Sequence, residues 1–438
     1  MNLASLSPVE ETKRIIYLDV IRGIAILGIL LMNIYNFGMV SYLQDRSGIY
    51  EGLRTLNFNI WFLGNVFIDG KMRGIFSILF GAGILLFASK ADKGTTGAHY
   101  RRMLWLLIFA FIDIFVFLWK GDILHEYAIC GMLLFPLRKL KPIYLVTISF
   151  LLLTFNIYYQ SSGYIEIHEL RHSVLESDSL LAKGKTLTKK QDDDKKHWER
   201  ILGSRLPLND AAKYRNDSTY TKECSMRQGG YVKNREDVIE TAQILKDPEY
   251  YLGFLPEIIA ILLGMALFKW EIFSGTTRRR NYFLLCLLGV IGLGFQFYIT
   301  SVTPYTQTDL VNFIDKGNVF IAFSDEFIRI SICLGYIGVI MLVCFSGRMQ
   351  KLKHFLACTG KMAFTNYLMQ SIICTFIFNG YGLGLFAKLQ RYELMFVVVA
   401  IWIFQMAFST LWLKRFRWGP MEWLWRSLTY WKRIPNKI

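Results

Sequence analysis

The chain has 438 residues and a formal charge of +16, with 53% hydrophobic residues and only 19% charged ones. A soluble domain carries about 25% charged residues, so this composition, with a mean hydropathy of +0.32, excludes an ordinary water-soluble globular protein. Runs of roughly 20 apolar residues, the length a helix needs to cross a bilayer core, point instead to a polytopic membrane protein. Transport, signalling or chemistry at a membrane then bounds its function.

In chain order, ten apolar spans are read at 15–38, 58–90, 103–119, 123–137, 143–159, 254–268, 282–300, 319–345, 361–379 and 394–413. Basic residues mark alternate connections: Lys13 and Arg14, then Lys90, Lys93, Arg101 and Arg102, then Arg138, Lys139 and Lys141. Arg278, Arg279 and Arg280 follow the sixth span; Arg348, Lys351 and Lys353 follow the eighth; Lys414, Arg415, Arg417, Lys432 and Arg433 follow the tenth. All fall on one side, which the positive-inside rule makes cytoplasmic, with both termini. The net charge is largely this asymmetry and requires no nucleic acid. The first apolar run is too long for a signal-peptide core and lacks a small-residue cleavage site, so it reads as a span. Seven cysteines are scattered without CxxC spacing, so neither disulfides nor a metal site is expected.

The expected architecture is an all-α bundle of about ten transmembrane helices in three parts. Residues 1–160 form an N-terminal half, 161–251 an extracytoplasmic loop or cap, and 252–438 a C-terminal half. Within the loop, 183–196 has the low hydrophobicity of a mobile linker, whereas 231–245 shows helical apolar spacing. A solvated insertion without a role is the competing reading of the loop.

Ionisable residues inside a membrane are costly and become functional candidates. The first span opens LDVIRGIAILGILLMNI, where Asp19 and Arg22 share a helical face and can pair. An interfacial ion pair that sets helix depth is the plainer alternative. Asn33 lies about 21 Å further along the helix, near the external side. The second span begins FIDGKMRGIFSILFGAG, placing Asp69, Lys71 and Arg73 around two glycines. A break in the helix is expected there, and broken backbone at that depth is tolerated where protein or a wet cavity surrounds it. GDILHEYAICG, opening the fourth span, holds Asp122, His125 and Glu126 within about one turn. His125 suits a general base, with Asp122 or Glu126 orienting its ring. The other histidines, His99 among them, fall in loops or tails with no comparable setting. Asn366 with Gln370, and Gln405 with Ser409, read as interhelical glue. Ser77, Gly81 and Gly83 read as close-packing positions. The tail FRWGPMEWLWRSLTYW, with Arg417, Glu422 and Arg426, reads as an interfacial anchor.

The three N-terminal stretches just quoted, with GKMAFTNYLMQSIICTFIF and LWLKRFRWGPMEWLWRSLTYW near the end, resemble the YeiB-like bacterial membrane proteins of uncharacterised function. The LDxxRG opening is also similar to a wider group of transmembrane acyltransferases, the heparan-glucosaminide acetyltransferases and the O-acyltransferases of bacterial surface glycans. That resemblance implies acyl-CoA, acetyl-CoA first, entering from the cytoplasm and an acyl group delivered to a sugar hydroxyl or amine outside. It also implies the bacterial cytoplasmic membrane. The sequence departs from the group at two places. The histidine that ends the first span of the O-acyltransferases is Asn33 here, and 41–60 holds no counterpart to the histidine of the heparan-type enzymes. Either His125 serves as the base from another wall of the site, or the chain does not catalyse acyl transfer.

On the acyltransferase reading, His125, Asp122 and Glu126 are catalytic, and Asn33, Asp69, Lys71 and Arg73 hold the acceptor or the oxyanion. Asp19, Arg22, Arg101 and Arg102 bind acyl-CoA, helped electrostatically by Arg278, Arg279 and Arg280. The partners are the bilayer, acyl-CoA and an extracytoplasmic glycan or lipid-linked acceptor; a second copy of the chain stays open. The rival reading is a transporter or export factor for an amphipathic small molecule, with His125 coupling protons. No cytoplasmic connection is large enough to be a receptor's output domain.

Overall fold

The computed structural model describes residues 16–41, 44, 55–89, 95–203, 218–302, 311–312, 314–315 and 319–438; the side chains of 164 and 319–324 lie outside that set. Lys13, Arg14, Lys90 and Lys93 also fall outside it. The described residues form an all-α bundle. Its helices in the first half are α1 (Ile16–Gly38), α2 (Leu56–Phe67), α3 (Lys71–Ala88), α4 (Thr95–Phe115), α5 (Leu124–Leu134) and α6 (Pro142–Ala182). Outside the bundle run α7 (Lys189–Gly203), α8 (Ser218–Arg227) and α9 (Tyr231–Thr241). The second half contains α10 (Leu255–Lys269), α11 (Arg279–Val302), α12 (Val319–Phe345), α13 (Gln350–Lys361), α14 (Ala363–Phe378), α15 (Arg391–Trp412) and α16 (Pro420–Tyr430).

Seven helical segments are long and apolar enough to cross a membrane: Ile16–Gly38, Leu56–Ala88, Pro142–Ala182, Pro248–Lys269, Arg279–Val302, Asp325–Phe345 and Arg391–Trp412. The other spans read from the sequence correspond to α4, α5 and α14, which are shorter or carry buried polar groups such as Asp113. Membrane residence also shows on the outer surface. Helix α11 exposes Phe283, Leu287, Val290 and Phe295, and α15 exposes Phe396, Ile403 and Phe404, an apolar belt too broad for a soluble monomer.

Local chemistry sets the element ends. Thr55 caps α2 by accepting from the Phe58 amide, and a Gln390–Glu393 capping box opens α15. Prolines sit in the first turns of α6, α10 and α16, where a missing N–H costs nothing. The break expected near Asp69 is present: α2 ends, residues 68–70 turn, and Gly70 at φ +68° starts α3. Arg329 holds that turn, donating to the carbonyls of Gly70 (3.2 Å) and Pro256 (3.2 Å) while paired with Glu326.

Small residues let helices touch backbone to backbone. A side chain at Gly81 would collide with the Ile261 carbonyl of α10, and one at Gly264 with the Ile78 carbonyl of α3. Gly23 and Gly360 seat α13 against α1 in the same way. The amide glue is as read: Gln370 bonds Gln405 (3.0 Å), Gln405 bonds the Asn366 carbonyl (2.7 Å), and Asn366 bonds Ser409 (3.0 Å).

Two sequence expectations need correction. The boundary at 160/161 does not interrupt the backbone, because α6 runs 41 residues straight through it. At 1.5 Å per residue it is about 61 Å long, roughly twice a bilayer core. In the stretch 183–196, read as a linker, residues from Lys189 onward are helical: α7 folds back on α6 through Trp198 and Val174, with Ile314 in the same apolar cluster. The few apolar residues of this charged stretch fall on one face, and ion pairs Lys195–Asp178 and Lys196–Asp192 flank them. The helical spacing read at 231–245 corresponds to α9 and the 3₁₀ turn Ala242–Lys246.

Candidate functional site

The site is built around the start of α5. Asp122 stands just before this helix, and its Oδ2 accepts from the His125 amide (3.1 Å) and lies 3.2 Å from His125 Nδ1. Its Oδ1 accepts from the Tyr367 hydroxyl of α14 (3.3 Å), which in turn accepts from the Ile123 amide (3.1 Å). An ionised carboxylate only accepts, so Nδ1 carries the imidazole hydrogen and Nε2 is the acceptor. The Tyr250 hydroxyl, 2.7 Å away, donates to it. Tyr367, Asp122, His125 and Tyr250 thus form one continuous polar array.

Tyr250 comes from the 3₁₀ segment Pro248–Phe254 at the end of the region between α6 and α10. That region is docked, not loose. Arg227 at the end of α8 is buried, donates to the Phe37 carbonyl at the C-terminus of α1 (3.0 Å) and lies over the Phe386 ring. Asp237 of α9 pairs with Lys120, and Tyr231 donates to the Val116 carbonyl (2.9 Å).

The array lies between two cavities. The outer one, about 420 Å³, is lined among others by Asn33, Asn65, Asp69, Arg73, Asp122, Glu126 and Tyr250. Five residues singled out in three separate sequence segments therefore converge on it. Arg73 also pairs with the fully buried Glu257 of α10 (2.9 Å), and one Glu126 carboxylate oxygen is buried without a hydrogen bond among the described residues. Lys71 does not face this cavity. Its side chain is 3% exposed and its ammonium donates to the Asn65 carbonyl (2.6 Å), which ties α2 to α3 across the break. His125 lines neither cavity and meets the outer one only through Tyr250 and Asp122.

The inner cavity has a volume of about 250 Å³. Its walls are mostly apolar, from Leu79, Phe80, Phe87, Leu106 and Phe364. Asp19, Arg22, Arg102, Lys361 and Arg426 also line it, and its far end is formed by Ile123, Tyr127 and Tyr367. Asp19 and Arg22 pair at 2.9 Å, as their spacing predicted. Arg102 lies 4.3 Å above the Trp425 ring. Arg101 is turned away and donates to the Thr429 carbonyl (3.0 Å), and Arg278, Arg279 and Arg280 are not among the lining residues.

Helix α16, read from the sequence as an anchor, is a wall of this cavity. Glu422 caps α14 by accepting from the Phe364 and Thr365 amides (2.8 and 3.1 Å), so Trp425 and Arg426 are aimed inward. Gly83 also differs from its reading: among the described residues nothing lies within 4 Å of a side chain there, and it leaves space in the cavity instead of closing a helix contact. His99 is not in a loop but buried on α4 beside the same space.

Sequence reasoning missed Tyr250, Tyr367, Glu257, His99 and Asp113. Asp113 and Glu257, lone acids in or beside apolar runs, carried a usable signal. The tyrosines carried none, since aromatic residues are common in every span.

Comparison with known proteins adds an identity but no activity. The family described as "Protein of unknown function (DUF418)" matches residues 267–432. Along nearly the whole length, the chain is 30% identical over 457 aligned positions to the uncharacterised protein YxaH of Bacillus subtilis, covering 99% of each. It is 28% identical to the uncharacterised protein YeiB of Escherichia coli, over 95% of this chain and 96% of that one. An uncharacterised 39.9 kDa protein from the amylase 3′ region of Bacillus acidopullulyticus is 26% identical over 98% of each. No solved structure matches. The chain belongs to the YeiB-like family of multi-pass membrane proteins, whose function is uncharacterised.

Proposed function

We propose that this protein is an acyltransferase of the bacterial cytoplasmic membrane, moving an acyl group from cytoplasmic acyl-CoA to an extracytoplasmic glycan or lipid-linked acceptor. One observation carries the reading: two cavities of opposite character meet at a thin septum, Ile123 lining both and Asp122 bonded to Tyr367 across it. The apolar inner cavity with its cationic lining suits a thioester donor, and the amide- and carboxylate-lined outer cavity suits a hydroxyl or amine acceptor.

In the reaction, the acceptor oxygen or nitrogen attacks the thioester carbonyl, a C–O or C–N bond forms, and the C–S bond breaks. The acceptor's proton passes to the Tyr250–His125–Asp122 array, and the departing thiolate takes up a proton to leave as free CoA. His125 acts as base through the Tyr250 hydroxyl, not by direct contact. We assign the oxyanion donors to Arg73 and Asn33, which line the outer cavity with Asp122. Lys71 is committed to Asn65 and drops out of that role.

The same array joins the two cavities, which favours proton-coupled transport as the second reading. Label transfer from radiolabelled acetyl-CoA, in vesicles containing purified protein and crude cell-envelope extract, separates them. A labelled envelope product supports the enzyme. No product with acetyl-CoA or a longer acyl-CoA, from folded protein, replaces it with transport driven by a gradient.

A further inference from the structure

A second polar cluster stands in the inner cavity, away from the septum. The His99 ring is 1% exposed, stacked on Phe135 with centroids 3.8 Å apart, and its Nε2 lies 2.9 Å from the Gly131 carbonyl. A carbonyl only accepts, so Nε2 carries the hydrogen and Nδ1 is an acceptor. That Nδ1 is buried and has no hydrogen-bond partner among the described residues. Buried acceptors are normally satisfied, and His99 lines the cavity. A donor entering this cavity would satisfy it.

The same cavity gathers the guanidinium groups of Arg22, Arg102 and Arg426. Arg22 is paired with Asp19, but Arg102 makes no ion pair among the described residues and rests on the Phe87 and Trp425 rings. Glu422, the other carboxylate in the lining, is held by the amides of α14. Cations brought together in an apolar space call for an anion.

We infer that the inner cavity binds an anionic amphiphile whose linker carries N–H or O–H donors. Its phosphate sits at Arg102 and Arg426, its donor hydrogen at His99 Nδ1, and its apolar arm points toward Tyr367. A coenzyme A thioester has all three features, so the inference deepens the donor side of the proposed function and rests on it for that choice. A phosphatidylglycerol offers the same phosphate and hydroxyl chemistry from the lipid side.

The test is binding alone, with no acceptor present: tryptophan fluorescence of the purified full chain in detergent, titrated with acetyl-CoA or with short-chain phosphatidylglycerol. Acetyl-CoA is expected to bind saturably. His99→Phe, which keeps the ring stack, weakens it about tenfold, and His99→Gln, which restores an acceptor oxygen, recovers most of the loss. Arg102→Gln weakens it tenfold or more and reduces its salt dependence. Saturable phosphatidylglycerol binding with the same variant pattern, and none of acetyl-CoA, keeps the site and overturns the thioester as its ligand. Affinity unchanged in both His99→Phe and Arg102→Gln, or no saturable binding of either probe by a chain with a normal thermal transition, overturns the inference. Binding without label transfer leaves this site standing and counts against acyl transfer only.

Discussion

The two cavities share the residue Ile123 and differ in almost everything else. The inner one is walled mainly by rings and aliphatic chains with cations among them; the outer one carries four asparagine and glutamine amides, three carboxylates and two phenols, with Arg73 and Lys120, among fewer apolar side chains. The difference follows from how each is supplied. The inner cavity draws on the apolar interiors of α3, α4 and α14 and is closed by α16, so its walls were selected for burial. The outer one draws on helix ends: the end of α1, the break before α3, the turn before α5 and the docked region between α6 and α10. Backbone and side-chain polarity gathers where helices stop, since termini leave unsatisfied groups. Polar specificity and apolar capacity are therefore held in separate cavities, with the Asp122 array where they meet.

The largest expected effect breaks that meeting point. Asp122→Asn keeps the shape but removes the charge that both His125 and Tyr367 engage. Acyl transfer should fall by roughly 10²–10⁴-fold, read as initial rates with the thermal transition as a folding control. Next, His125→Ala and Tyr250→Phe should each cost about 10²-fold, and the double variant no more than the worse single one, because the two groups act in series. Multiplicative losses in the double variant would show that Tyr250 and His125 work separately.

A glycine pair sharpens the contrast between cavity and packing. Gly83→Leu should fill the inner cavity, weaken donor binding and leave the thermal transition in place, since nothing among the described residues lies within 4 Å of its Cβ. Gly81→Ala, two residues earlier, meets the Ile261 carbonyl and should cost about 1–3 kcal/mol of stability while leaving donor affinity in the surviving folded fraction unchanged. The smallest effect lies far from both cavities. Lys222→Ala removes a solvent-exposed pair with Glu240 and should change neither transfer rate nor thermal transition measurably.

Much of this arrangement was legible in the sequence where a polar residue interrupts an apolar run. Asn33, Asp69, Arg73, Asp122 and Glu126 were visible for that reason, and they share the outer cavity. Asp19 with Arg22 was visible from helical spacing, and the turn at Gly70 from two glycines among charges. What stayed hidden depends on long-range packing. Lys71 and Arg73 look equivalent in sequence, yet one side chain is spent on Asn65 and the other opens into the cavity. Tyr367 acquires its meaning only when α14 sets its hydroxyl against Asp122. The wall role of α16 depends on Glu422 seating on the start of α14, 57 and 58 residues away in sequence. Amphipathic, aromatic-rich sequence reads the same whether it lies on a membrane or closes a pocket.

The central claim is that donor and acceptor meet from opposite faces at the septum around Asp122, and sidedness tests it most directly. The protein would be oriented in sealed proteoliposomes, with radiolabelled acetyl-CoA supplied only at the face bearing Arg102 and envelope acceptor only at the face bearing Tyr250. The account predicts labelled acceptor at the Tyr250 face, none when the two supplies are exchanged, and none with Asp122→Asn. Labelled acceptor formed only when donor and acceptor share one face would contradict it.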